Sequence, residues 1–209
     1  MRQSDSVPDF YNDINLSFAK AWDLIEPGAT KRASPAHTPV VGSINEQGEP
    51  QLRVMVLRAA DRSSRRLRFH TDIRSTKIVE IENCNSASVL MYDPDLKLQL
   101  RLSGYLSVAN KGDDVDSAWQ TSTTFARRCY MAENAPGSLS VEATSGLPLW
   151  IEGKQPEEDQ LGDARANFAL LWFEVRSLQL LYLANIGHRR AKWDWDDATG
   201  KWSGRWLVP

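Results

Sequence analysis

The chain has 209 residues, a formal net charge of -2 and a pI near 6.0, with 42% hydrophobic and 25% charged residues. Those values fit one globular domain with extensions and give no general attraction to nucleic acid or an anionic membrane, so any anion site must be a local concentration of donors. No apolar run approaches the ~18 residues of a membrane span, and the opening MRQSDSVPDF lacks the apolar core of a secretory signal.

Residues 1–13 carry no pattern and read as a loose lead-in. Phe18, Ala21, Trp22 and Ile25 then recur at helical spacing and mark one apolar face of a helix from Asn15 to Ile25, stopped by Glu26-Pro27-Gly28. Residues 27–39 are a polar, Pro-containing linker. Val40–Ile44 is a first strand, Glu46–Glu49 a turn and Gln51–Arg58 the returning strand. After a second turn at Asp61–Ser64, Arg66–Thr71 forms a third strand. It sets Leu67, Phe69 and Thr71 on one face and Arg66, Arg68 and His70 on the other. A short helix over Lys77–Asn83 follows, with Ser75 or Thr76 placed to cap it. Ala87–Tyr92 and Leu96–Ser107 are the next strands, the second with Leu96, Leu98, Leu100 and Leu102 inward and Gln99, Arg101 and Ser103 outward.

Helical spacing returns at Asp113–Gln120 through Val115, Ala118 and Trp119, and Phe125–Arg128 extends it. Glu152–Asp163 is acidic and reads as an exposed insertion. Leu170–Val175 and, after a short turn, Leu178–Leu183 are strands. Arg190–Trp195 and Lys201–Val208 form a closing hairpin that concentrates Trp193, Trp195, Trp202 and Trp206, whose cross-strand pairing would hold it together. Successive strands joined by short turns predict a mainly β fold, an antiparallel meander or barrel with peripheral helices. One domain covers residues 1–209. Its N-terminal helix and linker span 1–39, the barrel 40–107 and 170–209, and a helical and loop insertion 108–169.

Cys84 and Cys129, with no CxxC and no signal, suggest buried structural thiols in a reduced, cytoplasmic setting. His37, His70 and His188 are too scattered for a metal motif. The basic run Arg62–Arg68 has no aromatic platform evident beside it, which argues against a nucleic-acid surface.

The functional signal lies between Gln51 and Lys77. Arg53 and Arg58 sit on opposite faces of a strand, His70-Thr71 ends another, and Thr76-Lys77 stands at a helix start where the dipole and orphan amides favour an anion. Taken singly, each has a bland reading as a rim cation, a strand-end bond or a cap. Their order along the chain suggests donors that converge on a phosphate-bearing ligand.

In this order, Arg53-Val54-Met55-Val56-Leu57-Arg58, Phe69-His70-Thr71-Asp72, Ser75-Thr76-Lys77 and then Gln99 resemble the flavin mononucleotide site of the pyridoxamine 5′-phosphate oxidases. The ending Arg205-Trp206-Leu207-Val208-Pro209 is similar to that family's tail. The resemblance covers residues 40–107 and 170–209. It implies a split β-barrel homodimer with FMN held between the subunits and a small-molecule substrate. Carried over by position, Arg53 and Lys77 would contact the FMN phosphate. Arg58 and the Val54–Leu57 backbone (Val54, Met55, Val56, Leu57) would line the ring, and His70, Thr71 and Thr76 the ribityl-phosphate end. Gln99 would bind the ring edge. Tyr182 would stand for a flavin-flanking tryptophan of the partner subunit, and Arg190 or Lys192 for a later basic residue there. Thr76 replaces an Arg usual in these oxidases, and Gly187–Trp193 does not reproduce their Arg-x-His-x-Arg run, which leaves the substrate open.

The resemblance therefore implies an FMN-dependent oxidoreductase without a catalytic residue fixed by motif; His188 and Arg190 are candidates beside the ring. The alternatives are a flavin carrier without turnover, and haem handling on the same barrel with His37, His70 or His188 as axial ligand. No metal and no nucleic acid partner is expected.

Overall fold

The computed structural model describes residues 7–209. Helix α1 (Ile14–Gly28) starts where the Asp13 carboxylate accepts the amides of Asn15 and Leu16, at 2.8 and 2.9 Å. Ala21, Trp22 and Ile25 are fully buried on the face that the spacing marks. The helix runs two residues past Glu26 and ends on Gly28, where a Cβ would meet the Ala36 backbone at 2.7 Å. The lead-in is tighter than expected. Residues 1–6 lie outside the described region, but Asp9–Asn12 is a turn of 3-10 helix with Tyr11 buried, its hydroxyl donating to the Gly187 carbonyl at 2.7 Å.

Among the described residues nine strands form one antiparallel sheet: β1 (Val40–Ile44), β2 (Pro50–Val54), β3 (Ala59–Asp61), β4 (Arg66–Asp72), β5 (Ser86–Asp93), β6 (Leu98–Ala109), β7 (Phe168–Tyr182), β8 (Arg189–Asp196) and β9 (Lys201–Leu207). Their order is β2-β1-β5-β6-β7-β4-β3, with β8 on β7 and β9 on β8. The sheet does not close on itself, and this is the predicted split barrel. The returning strand ends at Val54, four residues short of the predicted Arg58. From there Met55 and Leu57 donate their amides to the carbonyls of Pro39 and His37 and bury their side chains, so the chain stays extended but changes partner.

The predicted turn between Val175 and Leu178 does not exist. β7 is continuous, and the register slips between Ser103 and Gly104, leaving Arg176 as the extra residue of a bulge. A polar Arg176-Ser177 pair inside an apolar run mimics a turn in sequence. The bulge is where the barrel splits: one edge of β7 pairs with β4 up to Glu174 and with β8 from Ser177 onward. Gly104 permits it, since a Cβ there would sit 1.8 Å from the Glu174 carbonyl oxygen.

Leu98, Leu100 and Leu102 are fully buried, each contributing roughly 1.5–3 kcal/mol, whereas Leu96 falls in the turn before β6 and is 42% exposed. Helix α2 (Thr76–Asn83) packs on β1 and β6. Helix α3 (Asp113–Thr121) builds a second small core from Val115, Ala118, Trp119, Leu161, Phe168 and Leu170. The acidic insertion is therefore exposed except at anchors such as Leu161, and its exposed Glu158 carboxylate accepts two bonds from the buried Arg127 at 2.5 and 2.8 Å. In the closing hairpin Trp195 lies opposite Trp202, ring centroids 5.6 Å apart, while Trp193 and Trp202 both meet Phe18 of α1. The thiols are not buried: Cys84 is half-buried and Cys129 exposed.

Candidate functional site

Two cationic groups form around β4, one toward each side of it. The first joins β1, β2, the end of β4 and the start of α2. Alternation turns Arg53 inward on β2. Its Nη1 donates to Ser43 Oγ at 2.5 Å and its Nη2 to Glu80 Oε2 at 3.0 Å, and Ser43 also donates to Glu80 at 2.5 Å. Glu80 lies one helical turn after Lys77. The Lys77 ammonium donates to Ser75 Oγ at 2.5 Å and Thr71 Oγ1 at 3.3 Å. Burial, then the nearby Arg53 charge, hold this lysine below its ordinary pKa, while Glu80 and Asp72 pull it back up. Ser75 is the N-cap residue of α2 but makes no capping bond; its hydroxyl serves Lys77 instead. Thr76 is exposed at the first helical position.

The second group lies on the outer face of β4. His70 is largely buried, edge-on to Phe168 at 4.8 Å, and its Nε2 has no hydrogen-bond partner among the described residues. Burial, followed by the charges of Arg58 and Arg68, lowers its pKa to about 3. Arg68 keeps an equally unpartnered buried Nε, and burial lowers its pKa too. Tyr130 completes the group, its phenol pushed up mainly by burial. The Arg58 amide donates to Arg68, which ties the segment after β2 to β4.

Gln99, Arg190 and Lys192 belong elsewhere. Gln99, Leu181 and Arg190 are consecutive neighbours across β6, β7 and β8 on the outer face of the sheet. Arg190 donates to Gln179 at 2.8 Å and Lys192 pairs with Asp194 at 3.0 Å. The Tyr182 ring packs on Phe10 and Tyr11, centroids 5.3 and 6.0 Å away. A cleft of about 470 Å³ opens between Asn12, His188–Arg190 and the terminal Trp206–Pro209. Among the described residues, no hydrogen bond or ion pair joins this region to Arg53 or Lys77. His37 is engaged by the Gly28 carbonyl at 2.7 Å, and no cluster of three metal-ligating side chains occurs among the described residues.

Sequence reasoning missed Ser43, Glu80 and Tyr130, and took Ser75 for a helix cap where its hydroxyl serves Lys77. Glu80 was legible as the residue three after Lys77 on the same helix face; Ser43 and Tyr130 reach their groups only through the fold. It also missed aromatic partners for the basic run: Arg62 lies over Phe18, Arg65 over Trp195, and Arg66 and Arg68 over Trp172. Arg65 is moreover paired with Glu174 at 2.9 Å, so these stacks secure the sheet edge.

Residues 20–110 match the family described as pyridoxamine 5′-phosphate oxidase, FMN-binding domain. Pyridoxine/pyridoxamine 5′-phosphate oxidase 2 of Arabidopsis thaliana is 30% identical over 105 residues, 47% of this chain and 52% of that protein, so the chain spans about half the length of this curated relative. Two solved structures share the architecture almost end to end. A pyridoxamine 5′-phosphate oxidase-related, FMN binding protein from Nostoc punctiforme superposes with a TM-score of 0.71 at 22% identity, covering 98% of this chain and 100% of that one. PhzG from Burkholderia lata, solved with tetrahydrophenazine-1-carboxylic acid, gives 0.70 at 17% identity, covering 98% of each. At such identities the superpositions speak to the fold. Residues 20–110, less than half of the chain, are thus similar to that family's FMN-binding domain, and the chain as a whole has the split-barrel fold.

Proposed function

We propose that this chain binds FMN and acts as an FMN-dependent oxidoreductase, built as a homodimer with the flavin between subunits. The observation that carries the reading is the convergence of Arg53 and Lys77 at the start of α2, ringed by the hydroxyls of Ser43, Thr71 and Ser75. Two half-buried cations, three hydroxyls and a helix N-terminus suit a phosphate dianion. The flavin, when bound, supplies the hydride and electron chemistry. Arg53 and Lys77 hold its phosphate, with Thr71 and Thr76 beside them. Arg58 and the Val54–Leu57 backbone orient the ring, and the His70 backbone continues that wall.

A second copy completes the site in this reading. Val54, Val40 and Leu90 are consecutive neighbours on the outer sheet face, and Leu52 beside them is 72% exposed. The same face carries Gln99, Arg190 and Lys192. Docking two such faces buries the apolar strip and brings the partner's copy of the Tyr182–Lys192 region toward the flavin.

The purified protein is expected to be yellow and to release FMN on denaturation, identified by mass spectrometry, and to sediment as a dimer. A colourless protein that takes up no FMN on titration overturns the proposal. Stopped-flow mixing with NADH or NADPH, then oxygen, tests turnover; a bound flavin inert to both leaves a flavin carrier. Among the described residues no helix is long and apolar enough to cross a membrane.

A further inference from the structure

The cation site contains an acid that a phosphate site does not need. Glu80 is largely buried, with its side chain 13% exposed, and accepts from both Arg53 and Ser43. It stands on α2 one turn from Lys77, close enough to raise that lysine's proton affinity. Without an anion, two neighbouring half-buried cations repel each other, and a carboxylate between them relieves this. Once a phosphate dianion arrives, the same carboxylate is a like charge beside it and competes for Arg53 Nη2. With Thr76 adding no charge, the site offers one net positive charge to a dianion. Arg53 is held by Glu80 both directly and through Ser43, whose hydroxyl accepts from Arg53 and donates to Glu80.

We infer that Glu80 is a positioning residue that keeps Arg53 ready in the empty site and holds the grip on the cofactor phosphate loose, so that FMN exchanges with the free pool. The inference rests on the proposed FMN binding and concerns only its phosphate end. Glu80→Gln keeps an oxygen for Arg53 Nη2 and removes the charge. FMN affinity, read by flavin fluorescence quenching, is expected to tighten roughly tenfold in this variant, with slower release on dilution. Riboflavin, which has the ring but no phosphate, is expected to bind wild type and variant alike. A purely structural role would shift the melting temperature and move both ligands together. Unchanged or weaker FMN binding by a folded Glu80→Gln, or an equal gain for riboflavin, overturns the inference while leaving FMN binding intact. A wild type that binds neither ligand removes the proposed function and this inference with it.

Discussion

The two cationic groups around β4 are built on opposite principles. In the first, every cation has a near partner: Arg53 has Ser43 and Glu80, and Lys77 has Ser75 and Thr71. In the second, His70 and Arg68 keep buried nitrogens without partners, and His70 is held neutral by burial and by Arg58 and Arg68. A partnered group is preorganised and can exchange its internal bonds for bonds to an anion. An unpartnered buried group costs stability until something fills it. Under the proposed FMN binding, the first group would serve the phosphate end and the second the ring side.

The largest expected effect tests the first group. Arg53→Ala or Lys77→Ala should each weaken FMN binding by about 1.5–3 kcal/mol, the range of a lost charge-assisted hydrogen bond, seen as a Kd shift of roughly tenfold to a hundredfold. Unchanged titrations in both variants would separate the cluster from the cofactor. Next comes Arg58→Ala, expected to change FMN affinity by less than about threefold but to move the absorbance maximum of the bound flavin. A loss as large as that of Arg53→Ala would mean that the two groups form one phosphate site.

The smallest effect concerns stability. The folded-state pKa of His70, about 3, lies below its ordinary 6.5. Between those values the unfolded chain binds the extra proton, so His70 stabilises the fold fully above pH 6.5 and progressively less as pH falls toward 3. His70→Phe keeps an edge-on ring against Phe168 without a titrating group. Denaturant unfolding at about pH 7 and about pH 5 should show a shallower loss of stability in the variant than in the wild type. Equal slopes would show that His70 reaches a proton acceptor or water in solution.

Much of this was legible beforehand. The α1 face, the β4 alternation and the Leu98–Leu102 strand follow from side-chain spacing, because a half-buried element writes its period into its sequence. Of the six donors expected to converge, Arg53, Thr71 and Lys77 lie together at the start of α2, whereas Arg58 and His70 join the second group and Thr76 stands exposed. The partners Ser43 and Glu80 were not named, since they meet Arg53 only through the β1–β2 register and the docking of α2. The thiols were misjudged because free cysteine is usually buried, while here Cys84 follows directly on the end of α2 and Cys129 sits in an exposed turn.

By itself the sequence determined a mainly β domain, the places of most of its strands, and a loop-to-helix stretch suited to an anion. All of these depend on local spacing and local donors. Only the tertiary structure decided where β7 changes partner, which sheet face stays apolar and open, and that the Glu80 carboxylate pairs with Arg53 one helical turn from Lys77. Each of those depends on residues far apart in the chain meeting across a sheet, and such contacts leave no periodic trace in the chain.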